Sequence, residues 1–181
     1  MGCAARILWS ILRLARGRGS RSGGRDWVLS WLEDHLPAEC QPGLMHGDCF
    51  LGNALFLDTG ELSALLDWEL SAMGDPLLDL GRLLASWPDS AGEGPLSLKI
   101  EPWSGFPERD ELIARYESGT RPQMGDLIWF EVLACYKLGI ILEGTYARAC
   151  AGLADTATGR RLHRSAIALL RRATDSLTTR T

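Results

Sequence analysis

The chain has 181 residues, 46% of them hydrophobic and 23% charged, which is typical of one globular domain and excludes a wholly disordered chain. No apolar run reaches the ~20 residues that a transmembrane helix needs, so no membrane-spanning segment is predicted. Residues 1–25 carry six of the 19 basic residues and none of the 23 acidic ones, so the rest of the chain is acidic. An acidic body does not attract phosphate backbones, which excludes general nucleic-acid binding.

Residues 1–25 are predicted to form a basic, flexible N-terminal segment. Residues 4–14 have the spacing of a short amphipathic helix, and the glycine- and arginine-rich residues 17–24 are typical of a linker. One interpretation is a transit peptide, which is arginine-rich and acid-poor. A second is acylation near Gly2, although a myristoylation signal requires Ser or Thr where this chain has Arg6. A disordered or wrongly assigned start is the third.

The cysteines and histidines indicate neither disulfides nor a metal site. The chain has five cysteines without a C-x-x-C pair and three histidines without metal-ligand spacing. An odd number of unpaired cysteines is typical of reduced thiols. We therefore expect a cytoplasmic protein, with organelle targeting by the arginine-rich start as the alternative.

Residues 26–178 are predicted to form one mostly helical domain with a small β-hairpin. A helix with an apolar face is capped by Asp26 and stopped by Pro37. Two strand-like runs, 54–57 and 62–66, flank a turn and predict the hairpin. Helical patterns and one long irregular loop follow: helices 76–87, 107–118, 125–150 and 157–177, and loop 88–106. The expected fold is α+β, with about six helices and one hairpin.

The chemistry is concentrated around the predicted hairpin. Asp48 and Asn53 lie on a loop that enters the first strand, and Asp67 ends the second strand. A tight hairpin brings Asn53 and Asp67 to the same end, with Asp48 beside them. Carboxylate and amide oxygens are ligands that Mg²⁺ prefers, and a further carboxylate can orient a hydroxyl and accept its proton. These are the parts that phosphoryl transfer needs.

Each of these residues also has a structural interpretation. Asp48 can be a turn former and Asp67 a strand-end cap, while Asn53 can occupy a left-handed backbone position. His46 is interpreted as a structural residue that packs or hydrogen-bonds the loop. Four residues are assigned supporting or structural roles, with Glu69 also considered as an outlying metal ligand: His46, Glu69, Asp75 and Asp79.

Three motifs carry a family resemblance. They are His46-Gly-Asp48-x4-Asn53, Leu66-Asp67-Trp-Glu69 and Gly74-Asp75-Pro-x-x-Asp79. Together they resemble the aminoglycoside phosphotransferase-like kinases, relatives of the protein kinases. Within that family they most resemble the group related to the kinase domain of acyl-CoA dehydrogenase fusions, over residues of about 27 to 173. The resemblance implies that Asp48 is the catalytic base, that Asn53 and Asp67 bind Mg²⁺, and that Asp79 braces the loop.

The implied fold is the mostly helical C-terminal lobe of a protein-kinase-like enzyme. Such an enzyme also has an N-terminal lobe, a five-stranded sheet with a nucleotide-covering loop and a lysine that holds the phosphates. Lys99 and Lys137 both follow the catalytic loop, so no nucleotide lysine is found before it. Residues 1–25 are too few for five strands of roughly 5 residues each. We therefore expect a C-lobe without its N-lobe.

The resemblance implies an enzyme that uses ATP and Mg²⁺. It would transfer the γ-phosphate to a hydroxyl of a small molecule, either hydroxyacyl-CoA-like or antibiotic-like. Loop 88–106 and the helices near Trp129 and Tyr136 are expected to form the acceptor pocket. The alternative is a catalytically inactive C-lobe fragment or binding module, which needs a separate N-lobe or self-associates through its exposed face.

Overall fold

The computed structural model describes residues 23–96, 103–120 and 124–178. Its helices and strands, in chain order, are α1 (Gly23–Asp34), β1 (Gly43–Met45), β2 (Ala54–Phe56), β3 (Leu62–Leu65), β4 (Ala72–Gly74), α2 (Leu77–Ser86), α3 (Arg109–Thr120), α4 (Leu127–Cys150) and α5 (Thr156–Thr178). Two short 3₁₀ turns lie at Leu51–Asn53 and Trp68–Leu70. The predicted helix 4–14 lies outside the described residues.

The helices pack around α4, which is apolar on most of its surface and therefore becomes the central element. The amphipathic α5 lies along α4, α2 packs on its other side, and α1 contacts both α4 and α5. Gly81 allows α2 to approach closely, because a Cβ there would lie 2.7 Å from the carbonyl carbon of Phe130. The largest fully buried core side chains include Trp129, Phe130, Leu77, Leu84 and Leu169.

Two separate antiparallel sheets of two strands lie beside the helices. Strands β2 and β3 form the predicted hairpin, with Ala54 opposite Leu65. Strands β1 and β4 also pair, with Leu44 opposite Met73. The second sheet joins the chain before the first motif to the chain just before α2, so both ends of the chemistry-bearing region are held together.

The predicted α+β, mostly helical fold is confirmed, with differences at its edges. The helix expected from Asp26 begins at Gly23, inside the predicted linker, and the helix expected from Pro107 begins at Arg109. The predicted hairpin is present as β2 and β3, but the pairing of β1 with β4 in a second sheet was not predicted. Each of those strands has three residues, too few for an alternating pattern to be visible. Among the described helices, none combines the length and apolarity required to cross a bilayer.

Candidate active site

The motif loop, defined as residues 46–53, is tied to α2 by Asp79. The carboxylate of Asp79 accepts the backbone N–H groups of His46, at 2.6 Å, and Gly47, at 2.8 Å. Gly47 has a φ of 86°, and a Cβ there would lie 2.3 Å from the carbonyl oxygen of Leu70. Only glycine fits this turn, and Asp79 makes the contacts expected of a residue that braces the loop.

Asp48 is held between α2 and the entry to β2. Its Oδ1 accepts a hydrogen bond from Nε of Arg82 at 2.8 Å. Asn53 donates its amide nitrogen to the Asp48 backbone oxygen at 3.0 Å and to Oδ2 at 3.4 Å. The Asp48 side chain is 30% exposed, whereas that of Arg82 is 9% exposed. Oδ1 of Asp48 is therefore paired with a buried cation, whereas the hydrogen bond that Oδ2 accepts from Asn53 is long.

His46 joins the motif loop to the segment that carries Asp67. Its Nε2 donates to the carbonyl oxygen of Leu66 at 2.7 Å, and its Nδ1 accepts the N–H of Asp48 at 3.3 Å. This network requires the ring tautomer with its proton on Nε2. The ring also packs against Trp68, at 4.6 Å between centroids. Both nitrogens are engaged and the residue is buried, which favours the structural interpretation of His46.

The hairpin register brings Asn53 and Asp67 to the same end, as the spacing predicts. The N–H of Leu66 donates to the carbonyl oxygen of Asn53 at 2.8 Å, and Asp67 follows directly. Of the described residues other than glycine, only Asp67 has a positive φ, with φ 63° and ψ 60°. The left-handed position suggested for Asn53 therefore belongs to Asp67. Asp67 makes no capping hydrogen bond to the 3₁₀ turn that follows.

A Mg²⁺ ion fits the chemistry of this hairpin end. Asn53 commits its amide nitrogen to Asp48, so its oxygen is the atom available to a cation, and Asp67 is exposed. Amide and carboxylate oxygens suit Mg²⁺, which keeps several waters and takes further ligands from phosphates. Within the described ranges, no three His, Cys, Asp or Glu residues are grouped to hold a metal. Glu69, exposed on its 3₁₀ turn, is therefore not part of a preformed three-carboxylate site.

Asp75 has an architectural position. It is fully buried, and its carboxylate accepts the backbone N–H groups of Gln41 and Leu77, each at 3.0 Å. These bonds tie the segment before β1 to the first turn of α2 and support the N-terminal end of that helix. Asp75 thus supports the site through the backbone of these two segments.

Two cations near Asp48 were missed by the sequence interpretation. Arg82 pairs with Asp48, and its guanidinium lies 4.7 Å from the centre of the Phe50 ring. Lys137, on α4, donates to the carbonyl oxygen of Gly47 at 3.4 Å. Arg82 carried a signal, because it lies three residues after Asp79 and residues at that spacing share a helix face. Lys137 carried none, since 90 residues separate it from Gly47.

A cavity of about 1440 Å³ opens at the far end of α2. Residues 87–90 and 93–95 line it together with side chains of α3, α4 and α5. Trp129 and Tyr136 themselves are core residues, 1% and 3% exposed. The helix that carries them lines the cavity with three other residues: Leu127, Ile128 and Glu131. Arg172, which also lines the cavity, holds the C-terminal end of α2 by donating to the carbonyl oxygens of three residues: Leu84, Ala85 and Trp87.

Comparison with known proteins identifies the family. Residues 4–116 match the sequence profile of the phosphotransferase enzyme family. The chain belongs to this family. The prediction drawn from the three motifs is therefore confirmed. The matched part of the phosphotransferase profile includes the motif loop, the hairpin and α2, so the residues described above lie inside it.

Individual relatives agree with that assignment. The chain is 34% identical to acyl-CoA dehydrogenase family member 11 of Rattus norvegicus over 129 residues, 68% of this chain and 17% of that protein. It is 31% identical to family member 10 of Mus musculus over 141 residues, 72% of this chain and 13% of that protein. The chain thus spans less than a fifth of the length of either curated relative.

A solved structure supports the fold. A crystal structure from Ralstonia eutropha JMP134, described as an aminoglycoside phosphotransferase, superposes with a TM-score of 0.77 at 27% sequence identity. The match covers 96% of this chain and 56% of the other chain. The expected kinase-like phosphotransferase fold is confirmed, and this chain matches slightly more than half of that protein.

Proposed function

We propose that this chain carries the catalytic residues of a phosphotransferase that uses ATP and Mg²⁺ and acts on a hydroxyl of a small molecule. Membership of the phosphotransferase family supports the reaction class. The observation that carries the proposal is the position of Asp48. Its carboxylate is oriented by Arg82, partly exposed, and adjacent to the hairpin end that presents Asn53 and Asp67.

The mechanism assigns one role to each group. Asp48 orients the acceptor hydroxyl and takes its proton on Oδ2 as the hydroxyl oxygen bonds to the γ-phosphorus and the bond to ADP breaks. Arg82 holds Oδ1 and so keeps Oδ2 directed outward. Asn53 and Asp67 would hold Mg²⁺, which supplies neutralising charge to the phosphates when bound. Asp79 keeps the motif loop in the required conformation through its two backbone hydrogen bonds.

For the acceptor, we propose a hydroxyacyl-CoA-like molecule in the cavity at the end of α2. Arg164 and Arg171 line that cavity from α5 and are exposed, and exposed arginines suit the phosphates of such a molecule. The names of the curated relatives point the same way. An antibiotic-like acceptor is the alternative, supported by the description of the Ralstonia structure and by the acidic groups that also line the cavity. Transfer of labelled phosphate from ATP, measured on a hydroxyacyl-CoA and on an aminoglycoside, decides between the two.

The Asp48→Asn variant tests the proposed reaction. We expect turnover to fall at least about a thousandfold, because the amide cannot accept the proton. Calorimetry should show Mg·ATP binding by both proteins. The matched control is Asp58→Asn, an exposed aspartate in the hairpin turn, which should leave turnover unchanged. Undiminished turnover in Asp48→Asn would refute the catalytic role.

A non-catalytic C-lobe or binding module is the second candidate function, and one surface feature favours it. Nine large apolar side chains of the two sheets and their connections are 43–73% exposed. This exposed apolar set comprises Leu44, Leu55, Phe56, Leu57, Leu62, Leu66, Trp68, Leu70 and Met73. Large apolar side chains exposed in this number commonly mark an interface. We propose a β-sheet N-lobe as its partner, with a second copy of the chain as the alternative.

Binding measurements on the chain separate the enzyme from the module. Micromolar Mg·ATP binding by the chain alone supports the enzyme. Absence of nucleotide binding, together with a dimer that the Met73→Ser variant dissociates in sedimentation experiments, supports the module. The cytoplasmic setting is also retained as a proposal, supported by free thiols at Cys49, Cys135 and Cys150.

A further inference from the structure

Lys137 lies on α4 and contacts the motif loop, although 90 residues separate it from Gly47 in the sequence. Its ammonium donates to the carbonyl oxygen of Gly47 at 3.4 Å, a long contact immediately before Asp48. Among the described residues, no carboxylate lies within 4.0 Å of it. An ammonium has three donors, so this contact leaves most of its hydrogen-bonding capacity unused.

The charges around Lys137 act on its half-buried ammonium without a direct ion pair. Burial lowers the pKa of Lys137, the charges of Asp48 and Asp79 raise it, and the charge of Arg82 opposes them. Both carboxylates already have partners: Asp48 pairs with Arg82, and Asp79 accepts two backbone N–H groups. Backbone N–H groups do not neutralise the charge of Asp79, so Lys137 balances part of the charge of the two carboxylates, but it does so without a direct ion pair to either. A half-buried ammonium with unused donors and no direct contact to a carboxylate among the described residues points to an anion that arrives with a ligand.

We propose that Lys137 binds the γ-phosphate of ATP during transfer to the acceptor hydroxyl. The inference rests on the proposed function, because it requires the phosphoryl group to be transferred beside Asp48. The γ-phosphorus must then lie close to a hydroxyl held by that carboxylate, one residue from the carbonyl that Lys137 contacts. Lysine is a compact point charge on a flexible stem, so a small rotation moves its donors from Gly47 to phosphate oxygens.

No covalent bond to Lys137 is involved. Its N–H groups donate to γ-phosphate oxygens while the bond to the ADP oxygen breaks and the bond to the acceptor oxygen forms. The acceptor proton goes to Asp48. The two cations then have different roles. Arg82 orients the base, Asp48, and Lys137 binds the phosphoryl group.

The test compares the affinities for ATP and ADP, each with Mg²⁺, measured by calorimetry on the full chain. A contact with the γ-phosphate predicts that Lys137→Met weakens ATP binding about tenfold, the factor for one charge-assisted hydrogen bond. ADP binding should change by less than about twofold, because ADP lacks that phosphate. Lys137→Arg keeps the charge and should restore ATP affinity to within about threefold of the original. The control is Arg160→Met, which removes an exposed cation from α5 and should change neither affinity.

The outcomes separate this inference from the function on which it rests. If the unmodified chain binds no Mg·ATP, the proposed function fails and the inference fails with it. If it binds ATP but Lys137→Met weakens ATP and ADP equally, or neither, the role of Lys137 alone is overturned. Thermal unfolding monitors the fold of each variant. Should the methionine variant not fold, Lys137→Gln provides the neutral side chain for the same comparison.

Discussion

The two halves of the candidate site are built in opposite ways. The loop half holds the groups around the proposed base: His46, Asp48, Asp79 and Arg82. The hairpin half holds the groups proposed to face the cation: Asn53, Asp67 and Glu69. In the loop half, hydrogen bonds of 2.6–2.8 Å link the motif loop to α2 and to the chain after β3. In the hairpin half, Asp67 and Glu69 are exposed, and Asp67 has a left-handed backbone.

The difference separates the position of the base, which this chain holds by itself, from the cation site, which keeps open coordination positions. A base must be held at a defined position before substrate arrives, and buried hydrogen bonds achieve that. A magnesium site shared with ATP needs open coordination positions, so exposure of the hairpin half suits it. Most of the exposed apolar set lies on the same hairpin and 3₁₀ turn. We infer that the loop half is preorganised, whereas the hairpin half is completed by nucleotide and by a covering partner.

The largest expected effect comes from Asp67→Gly in the hairpin half. Loss of the carboxylate should abolish Mg²⁺-dependent turnover, because Asn53 alone remains as a protein ligand. Stability should instead rise, by about 0.5 kcal/mol, because relief of a left-handed strain of ~1–2 kcal/mol exceeds the added entropy of glycine in the unfolded chain. Urea unfolding measures the free energy of unfolding, and phosphate transfer measures turnover.

Asp67→Ala is the matched control for that variant. It removes the same carboxylate but retains a Cβ, so turnover is lost without the gain in stability. A glycine variant less stable than the alanine variant by about 0.4–1 kcal/mol, the cost of glycine's entropy in the unfolded chain, would show that the backbone at Asp67 is not strained. Retained turnover in both would remove Asp67 from the proposed cation site.

Arg82→Met, in the loop half, should have a smaller effect on turnover. We expect kcat to fall about a hundredfold while the KM for ATP changes little, since the side chain orients Asp48 and does not bind nucleotide. The free energy of unfolding should also fall, because Asp48 loses the partner of its ion pair. The loss should be smaller than for a fully buried pair, because the Asp48 side chain is 30% exposed to water and Nη1 of Arg82 has no hydrogen-bond partner among the described residues.

Arg82→Lys distinguishes orientation from packing. A lysine retains a charge for Asp48 and should recover part of the lost kcat, whereas a purely structural role predicts similar kcat values for both variants. An increase in KM for ATP equal to the fall in kcat would assign Arg82 to nucleotide binding instead.

The sequence predicted those parts of the site that depend on local geometry. A hairpin register brings Asn53 and Asp67 together because Asn53 directly precedes β2 and Asp67 lies two residues after the end of β3. The backbone strain at Asp67 was not predicted, since aspartate adopts several conformations at a strand end. The pairing of β1 with β4 was missed because three-residue strands show no periodicity. Lys137 was missed because its contact with Gly47 is set by helix packing across 90 residues, which no local pattern encodes.

The smallest expected effect tests whether the loop half stays closed in solution. Burial, with the charge of Asp79 as the next cause, raises the pKa of Cys49 to about 11. Only the thiolate reacts with iodoacetamide, so about one Cys49 in a thousand is reactive at pH 8, and the rate should rise about tenfold per pH unit up to pH 10. Cys150, which is exposed, provides the internal comparison in mass spectra of the labelled peptides. Labelling of Cys49 at pH 8 as fast as Cys150 would mean that the motif loop opens readily. The contrast between a preorganised half and an open half would then not hold, because a loop that exposes Cys49 also releases Asp48 from its position.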